Sequence, residues 1–503
     1  MNSKLLALFL ASLMCLVLVV GPGCGGAGKM TFGRRDEPRD NTEPDYLGLV
    51  KAYADVLIEH GTDTYGNVSS PLIASTLDRG TLSLMAGKPG DIEGIRGGDR
   101  ANTGANVFHD QDMYQVLYAL TEITGDKRYA NQADKTLKWF FRHCQSPQTG
   151  LMAWGEHLSW AFEQDDLAGR KDGPHEFFGP WVLWDRSFQI APKACTKFAR
   201  GLWDHQIHEH SGEFSRHAKW VSHGTAVGNG YPRHGGFYIA TWAEAYNQTK
   251  EPVFLKAIET LVDHFEKTSG KETSAIPCCT TPSRINIIWP ESNLSLAVDL
   301  WDAAEKVPEP LAQKLRERAF KTDRVYLSLL HEFGPQGRGF VAGANIQTLE
   351  RLTEGPWTDT KIWGTGYGKA TDAQIAMLCY LRYRQVKMPG YKKLVLDAAS
   401  RYLYSEPDTK ITLYPGSIAD AILHMLACYK LTGRDYYMDR AQYFAKKAVE
   451  TFFDDSSALP KASSAHGHYE TITGGDDLMM AMLELWAAKD QPQKDLHLVY
   501  NHR

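Results

Sequence analysis

Apolar and aromatic side chains recur along this chain three to four positions apart, in paired blocks joined by short turns. Block 113–144 breaks at Thr124-Gly125-Asp126, 237–265 at Lys250-Glu251-Pro252, 373–403 at Met388-Pro389-Gly390 and 419–452 at Thr432-Gly433-Arg434. Looser pairs occupy 181–203, turning at Ala191-Pro192, and 293–320, turning near Pro308. Helical stretches at 46–60 and 470–489 can pair with each other and close the set. An aromatic follows each clear turn (Tyr129, Phe254, Tyr391, Tyr436), placed to plug its hairpin. A single hairpin cannot bury its apolar face alone, whereas stacked hairpins can. The pattern predicts an all-α fold, an (α/α)6 or (α/α)7 toroid with first helices inside and second helices outside. An open solenoid of the same hairpins is the rival. Closure is favoured because the loops rich in His, Trp and Arg all precede inner helices, as they would around one cleft.

The start of the chain has a different texture. Residues 1–24 combine Lys4, the apolar run LLALFLASLMCLVLVV and then GPGCGG, which reads as an export signal. The run is shorter than the about 20 residues a membrane span needs. Cys24 before two glycines resembles a lipoprotein acceptor, so outer-surface membrane anchoring through Cys24 is one expectation, beside a periplasmic or extracellular location. Residues 25–44 read as a flexible tether, leaving 45–503 as one catalytic toroid. A net charge of −5 over 503 residues supplies no global field for nucleic acid. An acidic polymer would have to be met by a local basic patch. Of the eight cysteines none has C-x-x-C spacing, so neither a zinc site nor a redox motif is expected, and Cys278-Cys279 permits a vicinal disulfide.

Four loops carry the unusual residues. DIEGIRGGDRANTGANVFHDQDMY at 91–114 holds Arg100, Asn102, Asn106, His109 and Asp110. LMAWGEHLSWAFEQDD at 151–166 holds Trp154, Glu156, His157 and Trp160, and GPHEFFGPWVLWDRSF at 173–188 holds His175, Glu176, Trp181, Trp184 and Arg186. The richest is 216–246, where His217, His223, Arg233, His234 and Tyr238 lie in a Gly-rich run feeding a helix. Cations delivered onto a helix start suit an anionic ligand.

The motifs exclude several chemistries. His205, His208 and His210 invite a metal, but H-E-x-x-H is missing, and no metal or cofactor is expected. There is no G-x-S-x-G elbow or phosphate-binding P-loop, and GTGYG at 364–368 reads as a structural or substrate-lining turn. Glycoside hydrolysis has Asp110, Glu156, Glu176 and Asp185 as candidate carboxyls, but leaves the dense His, Arg and Tyr without work. β-Elimination on a uronic-acid polymer uses them. Its C5 proton becomes acidic only when donors neutralise the adjacent carboxylate, and a base and an acid must then act on one sugar face. Arg233-His234 with Tyr238 one helical turn on offers such a grouping.

The assembly GANVFHDQD, WGEHLSWAF, GPHEFFGPWVLWD, FSRHA and YPRHGGFYIATWAEAY resembles exported bacterial α/α-toroid polysaccharide lyases, in particular polysaccharide lyase family 38, whose members act on alginate or glucuronan. The resemblance implies metal-independent elimination with Tyr238 as base and acid, and Arg233 and His234 stabilising charge. It further implies His175 and Glu176 against the carboxylate. Asn106, His109, Arg100, His157 and His217 would be further substrate donors, with Trp154, Trp181 and Trp184 as stacking platforms. The alternatives are a toroid glycoside hydrolase acting on uronosides and a non-catalytic glycan-binding surface lipoprotein.

Overall fold

Single left-handed residues make the turns between paired helices. In the computed structural model, which describes residues 44–170, 179–221, 228, 230–334, 336–355, 357–364 and 370–502, Gly125, Lys250, Lys387 and Gly433 close their helices at φ between 56° and 76°. Each backbone N–H caps the preceding turn. The partner helix then starts on Pro252 or Pro389, whose fixed φ suits a first helical position, or on Lys127 behind Asp126, whose carboxylate accepts from the Arg128 N–H.

Fourteen helices are formed among the described residues: α1 Tyr46–His60, α2 Gln111–Thr124, α3 Lys127–His143, α4 Trp184–Ile190, α5 Pro192–Gln206, α6 Pro232–Thr249, α7 Pro252–Thr268, α8 Pro290–Ala304, α9 Leu311–Ser328, α10 Asp372–Val386, α11 Pro389–Leu403, α12 Pro415–Thr432, α13 Asp435–Phe452 and α14 Gly475–Asp490. The even-numbered helices pack in succession from α4 to α14, and α14 returns to α2; α1 covers α14 as the outer member of a seventh hairpin. Among the described residues the helices make an α/α toroid of seven hairpins, with α3 meeting α4 where the ring passes from α2 to α4. Inner helices α8 and α12 are buried on most sides, and α12 is buried from Pro415 to Cys428 without a break. Outer helices are buried along one stripe, as α3 is at Tyr129, Ala133, Thr136, Leu137, Phe140 and Phe141. Of the expected aromatic plugs, Tyr129, Phe254 and Tyr391 are buried, but Tyr436 is exposed and Tyr437 takes its place. The helix starting at Asp435 turns the second tyrosine inward.

Inner-to-outer turns are short, so the polar loops collect on the opposite rim, in the long outer-to-inner connections. All the strands among the described residues lie there too. Thr76–Leu77 pairs with Tyr469–Glu470, Gly104–Ala105 with Leu158–Ala161 and Asp166–Gly169, and Ile287–Ile288 with Ala344–Asn345, each antiparallel. After α14 the chain runs back across the inner helices: Val499 exchanges two hydrogen bonds with Gln115 of α2 (2.7 and 3.1 Å), and the Tyr500 hydroxyl donates to Asp420 of α12 (2.8 Å). No helix among the described residues is long and apolar enough to cross a membrane. The expected leader, the tether and Cys24 lie outside the described residues.

The ring is also held by a buried ion pair. Arg382 of α10 grips Asp323 of α9 through Nε (2.8 Å) and Nη2 (2.7 Å), Tyr391 of α11 donates to the same carboxylate (2.7 Å), and both charged side chains are fully enclosed. Asp323→Ala strands a buried guanidinium and is expected to cost about 3–5 kcal/mol in urea unfolding. Asp397→Ala, removing the exposed Lys393–Asp397 pair, is expected to change stability by less than about 0.5 kcal/mol.

Candidate functional site

The rim connections converge on a cluster the sequence only half announces. Gly97–Asp99 form one turn of 3-10 helix, and Asp99 sits buried between two basic side chains: Arg96 Nε donates to Oδ2 (2.7 Å) and His157 Nδ1 lies 2.7 Å from Oδ1. Arg96 also reaches Glu156 Oε2 (2.8 Å), itself buried. Burial works against the Asp99 charge, but the hydrogen bonds of His157 and Arg96 prevail and hold its carboxyl below the usual range. His157 is forced into the left-handed region at φ 67°, and its carbonyl lies so close to Gly169 that an added Cβ there would come within 1.9 Å. The short sheet therefore sets the imidazole by backbone strain that a glycine opposite permits.

Two further histidines lie near enough to feel the charges of this cluster. His217 follows Arg216 in the loop before α6, and His109 ends the loop before α2. Burial, then Arg216, His157 and Arg96, depresses His217 to about 4. Burial also takes His109 to about 4, against the pull of Asp99, Glu470 and Asp477. Both imidazoles are neutral at pH 7. Arg216 lies over the Tyr231 ring (4.4 Å to its centroid), and Tyr231 packs on Cys278 and Cys279, which are free thiols. Asp99, Glu156 and His157 each offer a ligand atom within 4.8 Å of the others, but Arg96 already bridges both carboxylates, so a metal ion would have to displace a guanidinium.

Several sequence-expected site residues serve the scaffold instead. Tyr238 is fully buried; its hydroxyl donates to the Ser215 carbonyl (3.0 Å) and accepts from Gln206 Nε2 (2.8 Å). These bonds tie the segment carrying Arg216 and His217 to α6. Trp154, Trp181 and Trp184 are buried together, with the first two ring centroids 4.9 Å apart, so they are core rather than sugar platforms. The Asn106 amide is spent on the backbone of Gly155 and Leu158. Arg100, its side chain fully enclosed, makes a bidentate pair with Glu470 (2.6 Å each) and a bond to Gly90 O, clamping the 90–100 loop to the segment before α14.

Arg233 and His234 open α6. The Arg233 N–H donates to Ser292 Oγ (3.0 Å), and its charge opposes the burial that raises Glu291, while His234 is buried beside Tyr231 and Phe237. The Tyr238 hydroxyl is directed elsewhere, toward α5, so the expected Arg233–His234–Tyr238 grouping is not assembled. His175, Glu176 and His223 lie outside the described residues. Of the expected set, His109, His157 and His217 come together. Arg96, Asp99 and Arg216 were missed as site residues, although IRGGDR and FSRHA stand within quoted motifs. Of the carboxyls considered for hydrolysis, Asp110 is buried on the Ser75 hydroxyl (2.8 and 2.9 Å).

Tyr238→Phe is expected to lower stability by about 1–3 kcal/mol, since Gln206 and Ser215 keep buried polar groups that lose a partner; chemical denaturation reads this directly.

The protein can be compared with known ones on this basis. Residues 93–262 match the family of periplasmic pectate lyases, a span that contains every member of the rim cluster. The match supports a polysaccharide-acting lyase and export in general, without reaching the family 38 assignment or alginate and glucuronan. Similar solved structures include the cellobiose 2-epimerase of Bacillus thermoamylovorans B4167 (10% identity, 87% of this chain and 97% of that one, TM-score 0.46). An unsaturated glucuronyl hydrolase specific for heparin matches at 10% identity over 90% and 100% (TM-score 0.46). The GH76A alpha-1,6-mannanase of Salegentibacter sp. HEL1_6 matches at 10% over 88% and 99% (TM-score 0.44). Resemblances this distant carry no argument about activity, and the toroid stands on its own helix packing.

Proposed function

We propose that this protein is a polysaccharide lyase that cleaves a uronate-containing polymer by β-elimination at the rim cluster. One observation carries the reading: the span matching periplasmic pectate lyases contains Arg96, Asp99, His109, Glu156, His157, Arg216 and His217, the same residues whose neighbouring charges meet on the rim. Elimination needs positive charge against the uronate carboxylate, so that the C5 proton becomes acidic, and an unprotonated base within reach of it. Arg216 and Arg96 are the cations for the carboxylate. His217 is the base, since burial, with Arg216, His157 and Arg96 behind it, keeps it neutral; the imidazolium it becomes returns the proton to the departing oxygen 4, and Asp99 and Glu156 hold Arg96 and His157 in place. This replaces the role first expected of Tyr238.

The test is turnover on a panel of uronate polymers beginning with pectate, followed by ultraviolet absorbance of the unsaturated product. Reducing ends released without that absorbance would mean hydrolysis, and binding without either would mean a glycan-binding protein. His217→Ala is expected to lower kcat by roughly 10²–10⁴-fold. Because the base must be neutral, activity should persist through neutral pH and fall as pH drops through about 4, where His217 takes up its proton. An acid limb near the ordinary imidazole value would exclude His217 as the base.

A further inference from the structure

A second group of ligating side chains lies deeper, where the segment after α14 crosses the inner helices. Asp112 of α2, Asp477 of α14 and His502 each offer one ligand atom, and these atoms all lie within 4.8 Å of one another. His502 Nδ1 is 3.1 Å from Asp420 Oδ1, a carboxylate that also accepts from the Tyr500 hydroxyl at 2.8 Å. That contact fixes the ring so that Nε2 is turned to Asp477 Oδ1, 2.9 Å away. Asp112, only 1% exposed, accepts at Oδ1 from Gln115 Nε2 (2.6 Å) and Asn501 Nδ2 (2.7 Å). Its other oxygen, Oδ2, is buried and receives no donor.

A buried carboxylate oxygen without a donor is costly, and a second carboxylate beside it raises that cost. A dication satisfies the same atoms at once. The surroundings suit one, because a metal-bound imidazole characteristically gives its other N–H to a carboxylate, as His502 does to Asp420. Two carboxylates and an imidazole nitrogen match Mn²⁺, Fe²⁺ or Zn²⁺ better than Ca²⁺, which seeks six to eight oxygens. Unlike the rim cluster, the triad has no guanidinium hydrogen-bonded to its carboxylates among the described residues.

We propose that Asp112, Asp477 and His502 form a binding site for a divalent transition-metal ion, with Asp420 as the outer carboxylate that orients His502. On binding, bonds form from Asp112, Asp477 and His502 Nε2 to the ion, any proton on Nε2 leaves to solvent, and nothing is oxidised or reduced. His502 is 27% exposed, which leaves a way in for the ion. The ion would join α2 and α14 to the segment that follows α14, whatever reaction the rim carries out.

The test uses the full chain, stripped with a chelator and titrated with Mn²⁺ and Zn²⁺ by calorimetry in buffers of different ionisation enthalpy. One saturable site is expected. Its affinity should fall by at least about tenfold in His502→Ala and Asp112→Asn, and by roughly 10–100-fold in Asp420→Asn, while Glu156→Gln on the rim leaves it unchanged. Anomalous diffraction from wild-type crystals soaked in Mn²⁺ locates the ion without relying on a variant that folds. No saturable binding, binding lost in Glu156→Gln but kept in His502→Ala, or an anomalous peak away from these three residues would overturn the site.

Discussion

The enclosure of the inner helices governs this molecule. A helix such as α12, buried from Pro415 to Cys428, offers no lateral surface for chemistry. Polar function is pushed to helix ends and to the loops that feed them. The short turns leave one rim sparse, and the long connections with their small sheets crowd the other. Clustering of His109, His157 and His217 on that rim follows from ring geometry as much as from the residues themselves.

Charge on the rim is arranged by burial and pairing together. Asp99 remains ionised because Arg96 and His157 outweigh its desolvation, whereas His217 and His109 stay neutral because burial dominates. Carboxylates locked to a guanidinium thus lie beside imidazoles that are uncharged at neutral pH. The inner cluster has the opposite character: one imidazole, His502, lies among three acids, Asp112, Asp420 and Asp477, with no guanidinium hydrogen-bonded to them among the described residues.

Strain and scaffold polar groups serve the rim from behind. His157 holds a left-handed backbone opposite Gly169, and Arg100 ties the loop of Arg96 and Asp99 to Glu470. Tyr238 fastens the chain just ahead of Arg216 through Ser215. Each looks like a functional residue in a motif, because a residue that positions a site and one that touches the ligand are drawn from the same polar and aromatic types.

Helical periodicity and turn residues such as Gly125, Pro252, Pro389 and Gly433 were enough, from the chain alone, to specify the hairpins and their order, since those features act over a few neighbouring residues. They also placed the polar loops ahead of the inner helices. They could not specify that the ring has seven members, that α1 covers α14, or that Trp154 and Tyr238 are core while Arg96, Asp99 and Arg216 face the rim cluster. Exposure of a side chain and the partner of a charge are set by segments tens to hundreds of residues away, as Arg100 with Glu470 and Asp112 with Asn501 make plain. Local spacing carries no record of those meetings, and only packing of the ring decides them.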